Sequence, residues 1–215
     1  MSARPSTAAA ASPWLAWRGV RAFWRELPRG LAAGVCGLAA AVPLTAALLF
    51  AAPGWMRVIA TVPPALALTG LARFAAATAR GDGPRLALLR RIDPVLALLL
   101  AAGASLAGLA LAAGGAATVA GAAGAAALML VFPYALVYGA LRDRRGVHAL
   151  RGGAILVAFR PSQALTLVAL YWLGGFAVAA STGVLAPVVA PLLLAVTASM
   201  TIGLLDEIDA LQGRA

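Results

Sequence analysis

Arg73 is a lone cation inside an otherwise uncharged stretch, and the acidic residue best placed to meet it is Asp93, at the start of the next such stretch. A pair of this kind inside a helix bundle would take two charges out of water, a cost that chains accept mainly where a polar interior has work to do. The other reading of Arg73 is snorkelling. It lies seven residues before Arg80, about 10 Å along a helix, close enough for a long cationic side chain to reach the headgroups. A second group combines Pro133 with Tyr134 and Tyr138, and Thr197 with Thr201, each hydroxyl pair spaced to share one helix face. An internal proline frees a carbonyl and bends the axis, so these residues would line a central cavity. The alternative is simple kinks, with the hydroxyls bonded to their own helix.

Side chains suited to enzymatic chemistry are sparse. His148 stands alone in a basic loop, without another His, Cys or carboxylate at metal-ligand spacing. Ser105 and Ser199 have no histidine at the same depth to act as base. Cys36 is the single cysteine, so no intrachain disulfide can form. The acidic residues Glu26, Asp82, Asp93, Asp143, Asp206, Glu207 and Asp209 fall beside arginines and read as their solvated partners. That leaves the apolar stretches without a carboxylate relay. The expectation is a protein that is not an enzyme and carries neither cofactor nor metal.

Composition explains what must position these residues. With 63% hydrophobic and 11% charged residues, the chain has too little polar surface to cover a water-soluble globule of 215 residues, so lipid must cover the rest. All 17 basic residues are arginine and the net charge is +10. Apart from Arg4, Arg57 and Arg214 they form three clusters: Arg18, Arg21, Arg25 and Arg29; Arg73, Arg80, Arg85, Arg90 and Arg91; Arg142, Arg144, Arg145, Arg151 and Arg160. The clusters alternate with long apolar stretches, as the positive-inside rule demands if every cluster is cytoplasmic. Arginines flanking apolar spans suit a bilayer with anionic headgroups and argue against nucleic acid as the partner.

A crossing helix needs roughly 20 apolar residues. On that measure residues 31–52, 58–79, 94–113 and 116–141 are four spans, and 161–205 holds two more, reversing near Ser181, Thr182, Gly183 and Pro187. The fold class is all-α, a six-span transmembrane helix bundle with both termini cytoplasmic, in a bacterial plasma membrane. The first span is too long for the core of a cleavable signal, so it should be retained. Residues 1–12 read as a disordered arm, 13–28 as an interfacial amphipathic helix, 29–205 as the transmembrane domain and 206–215 as a cytoplasmic tail. In the amphipathic segment Arg18, Arg21 and Arg25 share a narrow arc, opposed by Trp17, Val20, Phe23, Trp24 and Leu27. Trp17 and Trp24 would sit at headgroup depth with the arginines on lipid phosphate. The alternative is an extension of the first span packed on protein. Small residues at helical spacing, such as Gly30 and Gly34, Gly103 and Ala107, Ala117 and Gly121, permit close helix contact. The inner loops 80–91 and 142–160 resemble each other enough to suggest a repeated hairpin.

The order of short motifs resembles the YesL-like family of small bacterial membrane proteins. The resemblance rests on Pro64, Ala65 and Leu66 leading to Arg73 and a Gly81-Asp82-Gly83 loop, on Phe132-Pro133-Tyr134 before Ala149, Leu150 and Arg151, and on Pro161 followed by Ala164 and Leu165. It implies no assigned reaction and an accessory role beside carbohydrate transporters, with a transporter complex as partner. The chain departs from the pattern in its long N-terminal arm and in the aromatic-poor second loop. A permease moving a small solute through the proline-kinked bundle is the other function to weigh. ATP-driven permeases carry a Glu-Ala-Ala motif on an inner loop, where this chain has His148, Ala149 and Leu150.

Overall fold

The computed structural model describes residues 11–213, and every regular element among them is helical. The expected disordered arm lies outside the described residues except for Ala11 and Ser12, which begin the first helix. In chain order the helices are α1 (Ala11–Arg25), α2 (Leu27–Leu49), α3 (Gly54–Ala60), α4 (Val62–Arg80), α5 (Pro94–Ala113), α6 (Gly115–Arg142), α7 (Gly146–Phe159), α8 (Pro161–Ala180) and α9 (Ala186–Gln212), with a 3-10 turn at Leu86–Arg90. Six segments are long and apolar enough to cross a membrane: α2, α3 with α4, α5, α6, α8 and α9. The chain is a multi-pass, all-α membrane protein of six spans.

Prolines and caps set most of the boundaries. Pro94 and Pro161 open α5 and α8, where a missing amide hydrogen leaves no bond unmade. The second span differs from the expected single helix. Pro63 and Pro64 cannot donate to the preceding turn, so the helix breaks at Thr61 and they fall in the first turn of α4. At the break the Thr61 hydroxyl donates to the Val58 carbonyl at 2.6 Å. At the other end of the chain, the expected tail from residue 206 is a continuation of α9 to Gln212. Its acidic side chains hold it in place, as described below. The two inner loops also prove unlike: one carries a 3-10 turn and the other a 14-residue α-helix.

Helix α9 is the centre of the bundle, packing on α1, α2, α4, α6 and α8. Its stretch from Leu194 to Thr201 is buried at every position. Lipid chains are as apolar as leucine, so helices in a membrane associate by close van der Waals fit and not by escape from water. Small residues supply that fit. A methyl group at Gly19 would stand 2.8 Å from Cα of Val196, so α1 lies directly on α9. At Gly34 a Cβ would overlap the Pro187 carbonyl. Pro191 cannot donate to that carbonyl, so the close approach of α2 brings it a polarised Cα–H in place of the lost amide. Helices α2 and α8 form the rim, with Val35, Val42, Leu49, Leu165, Leu173 and Phe176 exposed, as lipid-facing residues are.

Helix α1 corrects the expected division of the amphipathic segment. Leu15, Ala16, Val20 and Phe23 pack onto the bundle, whereas Trp14, Trp17 and Trp24 are exposed together with Arg18, Arg21 and Arg25. The tryptophans therefore share the arginine side of the helix and do not oppose it. One face is a protein contact, which is the packed alternative, while the outer face retains the Trp/Arg chemistry of a headgroup surface.

Candidate functional site: the arginine-rich end of the bundle

Arg73 does not meet Asp93. Both its terminal nitrogens lie 3.1 Å from Oδ1 of Asp143. Asp143 stands just past the end of α6 in a left-handed conformation (φ 48°), which turns its side chain toward α4. The Arg73 side chain is 14% exposed and that of Asp143 is 72% exposed, so the pair links a partly buried cation to a solvated anion. Neither a bare snorkelling cation nor a buried pair describes it.

Asp93 is committed elsewhere, and this is the physical reason the expected pair fails. Its Oδ1 accepts from the amides of Val95 and Leu96, each at 3.1 Å, capping α5. Oδ2 accepts from the Gly146 amide at 2.8 Å, and the Asp93 amide itself donates to the Thr69 hydroxyl at 3.1 Å. Gly146 adopts φ +54° here and opens α7. One residue, 4% exposed, thus ties together three elements: its carboxylate holds the starts of α5 and α7, and its backbone amide holds α4. Three amide donors can replace the hydration of a carboxylate, so burial without a counter-cation is tolerable.

Further ties close the same end. Arg80 donates to the Leu141 carbonyl at 2.7 Å, occupying one of the open carbonyls at the end of α6. Arg142 reaches both oxygens of Asp209 at 2.9 and 2.7 Å, and Arg160 pairs with Glu207. Through these contacts the ends of α4, α6 and α9 and the start of α8 meet, bringing the second and third arginine clusters to one end of the bundle. Asp143, Glu207 and Asp209 act as arginine partners, as does Glu26 with Arg29 at 2.8 Å.

The residues expected to line one cavity are dispersed. Pro133 lines a cleft of about 430 Å³ among α4, α5, α6, α8 and α9, together with Leu68, Leu100, Phe132, Tyr171 and Leu194. That cleft is apolar. Tyr134 is buried in the neighbouring cluster with Leu156 and Met200, and its hydroxyl has no partner among the described residues. Tyr138 lines a separate depression near Arg142 and Asp209. The Thr197 and Thr201 hydroxyls are fully buried and donate back along α9 to the carbonyls of Leu193 and Thr197, both at 2.8 Å. Tyr171, which nothing in the sequence reading singled out, hydrogen-bonds Thr197 at 3.2 Å. Among the described residues no group of His, Cys, Asp and Glu is arranged to hold a metal ion.

No family model, curated protein or solved structure matches the chain.

Proposed function

We propose that this is a non-catalytic accessory protein of the bacterial plasma membrane, with both termini and the arginine-rich end in the cytoplasm and a transporter as its partner. The observation that carries the reading is the separation of charge from cavity. The interhelical cleft is walled mainly by leucine and alanine, with Tyr171 the one lining residue that bears a hydroxyl, while the arginine pairs join helix ends at one side of the bundle. A permease for a polar solute needs hydrogen-bonding groups along its path to replace the solute's water. The intramembrane hydroxyls of Thr197, Thr201 and Tyr171 are already spent on bonds within the protein. An arginine face held by ion pairs suits docking onto anionic headgroups and onto another protein.

The YesL-like resemblance points to carbohydrate transporters as the first partners to seek. Mild-detergent purification of the tagged protein from its native membrane should then recover a transporter in fixed proportion. Flux of a sugar through the protein reconstituted alone in liposomes, above the leak of protein-free vesicles, would replace this reading with the permease.

A further inference from the structure

We infer that a basin of about 360 Å³ at the arginine-rich end is a binding site for a multiply charged phosphate group, carried by a lipid headgroup or by a soluble phosphate ester. Arg73, Arg80, Arg85 and Arg91 line it, with Asp82, and its floor includes Ala76 and Ala140 of α4 and α6. Four arginines and one aspartate thus line a single space. Even with Asp143 set against Arg73, positive charge remains in excess, and guanidinium groups gathered around one opening repel one another unless an anion joins them.

Two of the cations and the loop that bears the other two are held in place. Arg73 and Arg80 are anchored on Asp143 and on the Leu141 carbonyl. The loop bearing Arg85 and Arg91 is pinned at three points. Pro84 is fully buried, the Leu89 carbonyl lies so close to α4 that only a glycine fits at position 70, and the Asp93 amide is bonded to Thr69. Arg85 and Arg91 sit at either end of the 3-10 turn between these anchors, and neither has an ion-pair partner among the described residues. Little loop order is then lost on binding, which favours affinity, and the free side chains of Arg85 and Arg91 can turn to the anion. The planar guanidinium offers paired donors to phosphate oxygens, and basic pockets between transmembrane helices are suited to phosphorylated headgroups. Arg90, in the same turn, lies outside the basin. The site stands independently of the accessory role.

The test uses the whole protein in an uncharged detergent, melted with increasing inorganic pyrophosphate or, separately, dioleoyl phosphatidic acid, with phosphatidylcholine as reference. Ligand that binds the folded state raises the melting midpoint, and the concentration dependence reports affinity. At least one phosphate probe should stabilise the protein. Arg85→Gln with Arg91→Gln should weaken its binding roughly tenfold or more. Arg90→Gln with Arg145→Gln removes the same charge away from the basin and should change binding no more than about twofold. Stabilisation by phosphatidic acid alone assigns a lipid headgroup, whereas stabilisation by pyrophosphate shows that a free phosphate species enters. Arg91→Gln alone should give an intermediate loss, which keeps the test valid if the double variant folds poorly. Stabilisation by neither probe, or equal losses in both double variants, would overturn the site.

Discussion

Replacing Asp93 with asparagine should destabilise the bundle more than breaking the Arg73 ion pair, although both changes remove one carboxylate. The Asp93 side chain is buried, with two amides on one oxygen and the Gly146 amide on the other. Asparagine keeps one carbonyl oxygen and can still cap α5, but its NH₂ group would then face the Gly146 amide, donor against donor. A buried amide left without an acceptor costs about 1–3 kcal/mol. Asp93→Ala loses the cap as well, adding about 1 kcal/mol. Asp143→Asn, by contrast, acts on a mostly exposed carboxylate, and asparagine tolerates the left-handed backbone, so the expected loss is about 0–1 kcal/mol. At roughly 2–4 °C per kcal/mol for a chain of this size, the melting midpoint should fall by about 2–12 °C for Asp93→Asn and by less than about 4 °C for Asp143→Asn. Tryptophan fluorescence in detergent reads both, and hydrogen exchange should show the Gly146 amide losing protection only in the Asp93 variants. Equal midpoints, with Gly146 still protected in Asp93→Asn, would refute the three-amide site.

A double-mutant cycle of Arg73→Gln with Asp143→Asn should show a coupling of up to about 1 kcal/mol in melting, while Arg73→Gln with Asp93→Asn should be nearly additive. Gly34→Ala forces a methyl onto the Pro187 carbonyl and should cost about 1–3 kcal/mol. Gly108→Ala meets nothing within 4 Å and should be neutral or stabilising by up to about 1 kcal/mol, measured by the same melts. Among single-tryptophan variants in brominated lipid, one retaining Trp17 should be quenched best by bromine near the headgroup. One retaining Trp172, exposed on the middle of α8, should be quenched best by bromine deep in the acyl chain.

Much of the helical framework was legible because a bilayer imposes a length on apolar stretches and proline and glycine punctuate them. Asp93-Pro94 and Arg160-Pro161 mark helix starts where the structure has them. What could not be read was the lateral pairing of ends. Asp93 and Asp143 both sit near arginines in sequence, and only the left-handed turn after α6 and the position of Gly146 decide which one reaches Arg73 and which caps a helix. The amphipathic reading of α1 failed for a different reason, the angle at which the tryptophans stand. At roughly 100° per residue Trp17 and Trp24 fall within about 60° of Arg21, beside the arginine arc, so only the side of Phe23 and Val20 opposes it, and that side meets α9. The hydroxyl pairs on α6 and α9 were sound as helix geometry. Thr197 and Thr201 bond their own helix, as the alternative to a cavity lining had it, whereas the contact of Tyr171 with Thr197 depends on packing that spacing does not encode.

The orientation of the bundle underlies the accessory role, and cysteine accessibility measures it most directly. In a Cys36→Ala background, Ala116→Cys after the start of α6 and Val184→Cys between α8 and α9 occupy exposed positions at one end, and His148→Cys and Arg145→Cys exposed positions at the other. A membrane-impermeant maleimide added to intact cells should label Ala116→Cys and Val184→Cys, and should label His148→Cys and Arg145→Cys only after the membrane is permeabilised. Labelling of His148→Cys or Arg145→Cys in intact cells, with Ala116→Cys and Val184→Cys protected, would place the arginines outside and contradict the account.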